Sequence, residues 1–137
     1  MKVDQALFDA AVKLIEERFG RNSDEGAAAI YTESGKVLTS TAPDTLNDGV
    51  SLCHEAGAMC EAYKLDEKIV ASICVHQDEA GRNIVLTPCG ICQERLYFYG
   101  GDVEVGVPSQ DDGSKWESKK LSEVQPYYWR NVLLSND

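Results

Sequence analysis

Basic residues and long apolar runs are both scarce in this chain of 137 residues. It carries 13 Lys and Arg against 23 Asp and Glu, which gives a formal net charge of −10. A protein that binds a duplex or tRNA usually needs a basic stripe to displace counterions, and none is evident here. No apolar run approaches the roughly 20 residues of a membrane span. We therefore expect neither a nucleic-acid nor a membrane partner, and a free small molecule suits this composition better.

The N-terminus lacks a charged segment followed by an apolar block, so we expect no signal peptide. The five cysteines are an odd number for a disulfide framework. Together these features favour reduced thiols with metal or catalytic roles, and a cytosolic location. The share of hydrophobic residues, 43%, is ordinary for a globular protein, and the length predicts a single domain over residues 1–137.

The periodicity of the sequence predicts helices interleaved with strands. Helical spacing predicts four helices, near residues 4–19, 53–65, 90–99 and 121–125. Asp4 is expected to cap the first helix and Gly20 to end it. Short apolar runs predict five strands, near residues 26–31, 36–39, 69–75, 84–86 and 103–107. The third of these is apolar enough to be buried on both faces, and the alternation indicates a three-layer α/β domain.

Three cysteines and one glutamate stand in two short segments with the patterns C-x-E and P-C-x-x-C. Zinc binds thiolates in a tetrahedron, and a catalytic site keeps one position open for water. Cys53, Cys89 and Cys92 supply three ligands, and Glu55 is the natural partner for that water. The combined pattern resembles the signature of zinc-dependent deaminases, in which the glutamate is a general acid/base and not a ligand.

Helix geometry limits how these residues can meet. Residues i and i+2 of a helix point apart, so we expect Cys53 at the N-cap of its helix if Glu55 is to share the site. The same reasoning places Cys89 just ahead of its own helix, and both helix N-termini would then stabilise thiolates. A closed structural zinc would need a fourth ligand. Cys60 lies roughly 10 Å further along the helix axis and His54 should project elsewhere, so the catalytic interpretation is favoured.

The chain is similar to the small cytidine deaminase family, which includes blasticidin-S deaminase. The resemblance covers most of the sequence: Gly35-Lys36-Val37 after a short strand, the helix of Cys53-His54-Glu55, the segment 88–93 and the segment 121–129 fall in the family's order. It implies an α/β/α sandwich around a five-stranded mixed sheet and a Zn²⁺ cofactor. It also implies a hydrolase acting on a cyclic amidine C–N bond, and a homotetramer (or dimer) with active sites near subunit contacts.

The resemblance also points to residues that bind the substrate. Nucleoside-specific relatives hold the ribose with an asparagine and a glutamate at the positions of Ala42 and Asp44. Asp44 can still accept a hydrogen bond from a sugar hydroxyl, whereas Ala42 cannot. His54 occupies a position that is usually alanine; an imidazole there would narrow the pocket or tune its charge, and a solvent-facing or buried histidine is the alternative. The C-terminal aromatic that reaches a neighbouring subunit's site in relatives corresponds to Trp129 or Tyr127, with packing on its own core as the alternative.

Five further residues have interpretations of their own. Relatives place a phenylalanine over the base where this chain has Asp24. Arg95 or helix N–H groups are candidates to offset the charge of three thiolates, and a surface salt bridge is the alternative for Arg95. His76 is interpreted as structural, and Cys60 and Cys74 as small buried hydrophobic residues.

The sequence leaves several functions in competition. The first is hydrolytic deamination of a cytosine-containing nucleoside, with cytidine or deoxycytidine as the default. The second is deamination of blasticidin S or another modified aminopyrimidine, which the altered ribose loop favours. A non-catalytic zinc-stabilised binding domain is disfavoured because structural zinc has no need of the unligated Glu55 carboxylate. A polynucleotide deaminase is disfavoured by the charge.

Overall fold

The computed structural model of the chain describes residues 1–134. Helix α1 spans Gln5–Phe19. Asp4 caps it, since the Asp4 carboxylate accepts a hydrogen bond from Leu7 N–H at 2.9 Å. The helix ends at Gly20, whose φ of 86° is a left-handed conformation that glycine adopts without steric cost. The predicted cap and stop are both confirmed.

A mixed sheet of six strands runs through the described residues. The strands are β1 Glu25–Thr32, β2 Val37–Ser40, β3 Ile69–Gln77, β4 Asn83–Leu86, β5 Glu104–Pro108 and β6 Trp116–Lys120. Their main order is β2-β1-β3-β5-β6. The β3–β5 pair is parallel and the others are antiparallel. Strand β4 pairs with residues 74–77 of β3, beyond the two residues that pair with β5.

All five predicted strands are present, and β6 corrects the predicted number. Its sequence, from Trp116 to Lys120, contains a single apolar residue, so neither alternation nor an apolar run marks it as a strand. It pairs along its whole length with β5, from Glu104↔Lys120 to Pro108↔Trp116. Polar and charged residues are common on such edge strands because they discourage pairing with other chains.

The remaining helices are short. They are α2 Ala56–Lys64, α3 Gly90–Leu96, α4 Leu121–Val124 and α5 Asn131–Leu134, with single 3₁₀ turns at Asp48–Val50 and Tyr97–Tyr99. The predicted start of α2 at Cys53 is wrong: the helix begins at Ala56, and Glu55 holds the N-cap position. None of the described helices is both long and apolar enough to cross a membrane.

Each face of the sheet has its own hydrophobic core. On one face, α1 packs on the sheet through the residues Leu7, Ala11, Ile15, Ala27, Ala29, Ala71, Ile73 and Val75. On the other face, α2 and α3 pack on the sheet through the residues Ala58, Met59, Ala62, Cys92, Leu96, Ile30, Leu38 and Val105. Successive residues of a strand point to opposite faces, which explains why β1 contributes to both cores. The three-layer α/β/α architecture is confirmed.

Candidate active site

Three cysteine thiols converge where α2 and α3 begin. Cys53 Sγ lies 3.2 Å from Cys89 Sγ, and the sulfur atoms of Cys53, Cys89 and Cys92 all lie within 4.8 Å of one another. Two sulfur atoms bound to a tetrahedral zinc at 2.3 Å would lie about 3.8 Å apart, so this spacing suits one zinc ion. Among the described residues, these three form the one group of His, Cys, Asp or Glu with such geometry.

The two segments reach this point by different local structures. Cys89 is the N-cap of α3, as predicted, and Cys92 is buried in the first turn of that helix. Cys53 lies in the turn ahead of α2, where its carbonyl oxygen accepts a hydrogen bond from Ala56 N–H at 3.1 Å. Because Cys53 and Glu55 both precede the helix, the two-residue spacing does not force their side chains apart.

The surroundings of the three thiols shift their pKa values in different directions. Burial raises the pKa of Cys89, but hydrogen bonds from Cys92 N–H, the Cys53 thiol and Ile91 N–H outweigh it and leave the pKa below its ordinary value. Burial raises the pKa of Cys53 and of Cys92, and for Cys92 the negative charge of Glu55 adds to the effect. A divalent cation binds thiolates and releases their protons, so it would relieve this crowding of negative charge.

Glu55 is buried beside the thiols, with 3% of its surface exposed. Although it holds the N-cap position of α2, its side chain makes no capping hydrogen bond. Cys74, from the central strand β3, is buried against it: burial raises the pKa of the Cys74 thiol, and the charge of Glu55 and a hydrogen bond with it raise the pKa further. The predicted burial of Cys74 is confirmed, but its contact with Glu55 has no signature in the sequence.

Ser40, at the end of β2, supplies the cap that Glu55 does not. Its hydroxyl donates to His54 O at 2.5 Å and accepts from Ala58 N–H at 2.9 Å. The helix approaches the strand closely here, since a Cβ on Gly57 would lie 2.9 Å from Ser40 Cβ. Ser40 and Gly57 therefore position the Cys53–Glu55 turn on the sheet, and nothing in the sequence pattern marks either residue.

The side chain of His54 points to the loop that follows β2. Its Nδ1 accepts a hydrogen bond from Ala42 N–H at 3.1 Å and lies 3.3 Å from Thr41 Oγ1. The ring is half-buried, and burial lowers the pKa of His54. The imidazole therefore joins the Cys53–Glu55 turn to the 41–44 loop.

The other residues predicted to bind substrate make no hydrogen bond to the thiols or to Glu55. Asp44 is exposed and lines a cavity of about 220 Å³ with Ala42, Thr41 and residues of α1 and β1. Trp129 is 59% exposed and its Nε1 donates to the Glu94 carboxylate at 3.1 and 3.2 Å. Tyr127 is 94% exposed.

Two further predictions concern Asp24 and Arg95. Asp24 has a φ of 60° and its Oδ1 lies 2.7 Å from Nε2 of His76. Arg95 lines a cavity of about 600 Å³ on the outer side of α2 and α3, whose other walls are mostly apolar. Cys60, expected to be buried, is exposed and lines that cavity. Helical spacing predicts one apolar stripe on α2 with Ala56, Met59, Cys60 and Tyr63. Ala56 and Met59 are buried, whereas Cys60 and Tyr63 are exposed at the outer part of the stripe.

Comparison with known proteins agrees with this architecture. No protein-family model matches the chain. Blasticidin-S deaminase of Bacillus cereus is 31% identical over 134 residues, which cover 93% of this chain and 94% of that protein. A cytidine deaminase of Mycobacterium tuberculosis strain H37Rv is 32% identical over 77 residues, covering 56% of this chain and 54% of that protein.

A solved structure gives the same relationship in three dimensions. The crystal structure of the cytidine deaminase from Bacillus anthracis superposes with a TM-score of 0.85 at 39% identity, covering 96% of this chain and 93% of that one. With the fold and the three-cysteine cluster, these similarities define the class of the protein as a deaminase. The chain belongs to the cytidine deaminase family.

Proposed function

We propose that this chain is a zinc-dependent hydrolase that deaminates a cytosine-containing nucleoside, with cytidine or deoxycytidine as the default substrate. The observation that carries the proposal is the buried Glu55 carboxylate beside three thiols within 4.8 Å of one another. A zinc held only for structure has no use for such a carboxylate. Catalytic zinc sites combine three protein ligands with an open position for water.

Cys53, Cys89 and Cys92 would hold the ion. When bound, zinc lowers the pKa of a coordinated water toward roughly 7. Glu55 accepts a proton from the attacking water and delivers it to N3 of the pyrimidine ring, which makes C4 more electrophilic. The C4–O bond then forms. Glu55 takes the proton of the new C4 hydroxyl group and passes it to the amino group, and the C4–N bond breaks, so that water and cytidine give uridine and ammonia. Proton shuttling of this kind typically contributes about 10²–10⁴-fold to the rate.

A second candidate substrate is blasticidin S or another modified aminopyrimidine. Two observations favour it. Ala42 has only a methyl group where a ribose contact is expected, and its N–H is already bonded to His54. In addition, the Bacillus cereus relative that matches nearly the whole chain is a blasticidin-S deaminase.

The surface of α2 and α3 supports a homo-oligomer, a tetramer or a dimer. Leu52, Tyr63 and Phe98 are exposed large apolar side chains around the 600 Å³ cavity, and a second copy of the chain would bury them. Trp129 is the aromatic residue proposed to approach a neighbour's site.

The net charge of −10 disfavours a polynucleotide substrate, and the reduced thiols suit the cytosol.

A substrate panel with ammonia detection tests the proposal. The zinc-loaded protein should release ammonia from cytidine, deoxycytidine or blasticidin S, and the preferred substrate decides between the two candidates. Glu55→Gln should bind zinc as the wild type does and lose activity by about 10²–10⁴-fold, whereas Glu61→Gln, in the same helix, should remain active. A folded, zinc-loaded protein that leaves all the aminopyrimidines unchanged would overturn the proposal, as would a fourth protein ligand on the metal.

A further inference from the structure

His54 lies between Cys53 and Glu55, and its hydrogen bonds determine which ring nitrogen carries a proton. Ala42 N–H donates to Nδ1 at 3.1 Å. Thr41 Oγ1 is 3.3 Å from the same nitrogen, but the Thr41 hydroxyl donates its hydrogen to Gly26 O at 2.6 Å. Nδ1 is therefore an acceptor, and the neutral imidazole carries its proton on Nε2.

Gly26 lies against the Nε2–Cδ2 edge of this ring. A Cβ at position 26 would lie 2.6 Å from Nε2 of His54 and 3.0 Å from Cδ2, so the imidazole occupies space that any other residue at position 26 would fill. Nε2 makes no hydrogen bond to a residue within 1–134; the ring's contacts with the loop all run through Nδ1. The Nε2–H group of this half-buried residue therefore has no acceptor among residues 1–134.

Residue 42, in the loop that follows β2, offers a ligand neither a polar side chain nor a free N–H group. The Ala42 side chain cannot form a hydrogen bond, and its N–H is engaged by His54. Yet Thr41 and Ala42 both line the cavity of about 220 Å³ at this end of the sheet. A group attached to a pyrimidine bound at Glu55 and directed toward this loop would pass the imidazole edge.

We propose that His54 is a specificity-determining residue whose Nε2–H donates a hydrogen bond to an oxygen of the group attached to the pyrimidine ring. This inference rests on the proposed deaminase function and adds to it a residue that recognises the oxygen-bearing ring substituent, such as the sugar, of the substrate.

Two matched variants distinguish donation from Nε2 to the substrate from the hydrogen bond between Nδ1 and the loop. The amide of Gln reaches about as far as Nε2 and can donate there, whereas the amide of Asn reaches about as far as Nδ1 and can accept from Ala42 N–H. We expect His54→Ala to raise KM for cytidine, or for blasticidin S if cytidine is inert, by about tenfold, as for loss of one hydrogen bond. The kcat should change far less. His54→Gln should restore most of the KM and His54→Asn should not.

A substrate without the substituent provides the control. The inhibition constant of 1-methylcytosine, which carries no oxygen on its N1 substituent, should be the same in the wild type and in His54→Ala. Zinc content and melting temperature of each variant establish that it is folded. Rescue by His54→Asn but not by His54→Gln would reduce His54 to a support for the loop and overturn the inference, and so would an unchanged KM in His54→Ala.

The contact with Gly26 gives an independent test. Gly26→Ala should raise KM more in the wild-type background, where the new methyl group displaces the imidazole, than in the His54→Ala background, where Val75 O still lies 3.0 Å from the new Cβ. Equal effects in both backgrounds would assign the cost of the methyl group to Val75 O instead of the imidazole, and would count against the inference. A zinc-loaded wild type without deaminase activity would overturn the proposed function together with this inference. An active wild type whose KM does not change in His54→Ala would overturn the inference alone.

Discussion

Ser40 and His54 are joined by a hydrogen bond of 2.5 Å from the serine hydroxyl to the histidine carbonyl oxygen. The same hydroxyl oxygen accepts from Ala58 N–H, so a strand residue caps α2 across 18 positions of sequence. The usual cap is the side chain of the N-cap residue itself. Because Ser40 performs this task, the carboxylate of Glu55 makes no capping hydrogen bond and is left available for the proton transfer that we propose.

Loss of the Ser40 hydroxyl should destabilise the protein. Ser40→Ala leaves His54 O and Ala58 N–H without their partner, and we expect the free energy of unfolding to fall by about 1–2 kcal/mol. Urea denaturation measures the change. Ser72→Ala is the matched control, because Ser72 Oγ is buried without a hydrogen-bond partner, and it should be neutral or slightly stabilising. Equal losses in the two variants would contradict the capping role.

Gly57 should not tolerate a methyl group, although alanine is normally the better helix former by about 1 kcal/mol. A Cβ there would lie 2.9 Å from Ser40 Cβ, so α2 would have to move away from β2. We expect Gly57→Ala to lower stability by about 1–3 kcal/mol, as overpacking does, and to reduce activity through displacement of the Cys53–Glu55 turn.

Gly90, in α3, provides the control for this substitution. A Cβ on Gly90 would meet nothing within 4 Å, so Gly90→Ala should stay within about 1 kcal/mol of the wild type. A Gly57→Ala variant as stable as Gly90→Ala would show that the close approach of α2 to β2 is not required.

Metal binding should depend on three of the five cysteines. Cys53→Ser, Cys89→Ser and Cys92→Ser should each reduce the zinc content measured by elemental analysis, and chelation should lower the melting temperature because the ion binds the folded state. Cys60→Ser should leave both quantities unchanged, since Cys60 is exposed on α2 away from the cluster. Full zinc content in any of the three cluster variants would contradict the assignment.

Glu94 should hold the C-terminal aromatic residues on α3. Its carboxylate accepts hydrogen bonds from Tyr128 OH at 3.0 Å and from Trp129 Nε1, and Tyr128 stacks on Tyr97 with ring centroids 3.6 Å apart. In Glu94→Ala, the fluorescence of Trp129 should shift to the red and become easier to quench as the indole loses its partner.

The measurement is made in a Trp116→Phe background, because the chain has two tryptophans. Glu94→Gln retains one acceptor oxygen and should give an intermediate spectrum. An unchanged spectrum in Glu94→Ala would mean that stacking on Tyr97 is sufficient to hold this segment.

Local sequence patterns predict the helices and strands whose formation depends on nearby residues. Helix α1 has apolar residues at helical spacing, a capping aspartate and a terminal glycine, and all three features appear in the structure. Strand β3 was recognised by its apolar run because it is central and covered on both faces. The sequence pattern does not predict strand β6, because the strand forms by pairing with β5 and a polar edge strand carries no apolar signal.

The start of α2 was misplaced for a related reason. A helix can begin at Cys53 or at Ala56 as far as propensity is concerned, and the choice is made by Ser40, which binds Ala58 N–H from another element. Helical spacing predicts that Cys60 and Tyr63 share one apolar stripe with Ala56 and Met59, but it does not state which part of the stripe the core covers. In this chain the stripe lines an outward cavity.

The sequence by itself determined the chemistry that is available: three thiols and a carboxylate at spacings that two helix starts can bring together. Residue types and short-range spacing are sufficient for that, because ligand preference is a property of side chains. Only the tertiary structure decided that Ser40 replaces Glu55 as the cap, that Cys74 lies against Glu55 and that His54 lies over Gly26. Each of these contacts joins residues from separate elements, and no local pattern records such a contact because it exists only once the sheet has formed.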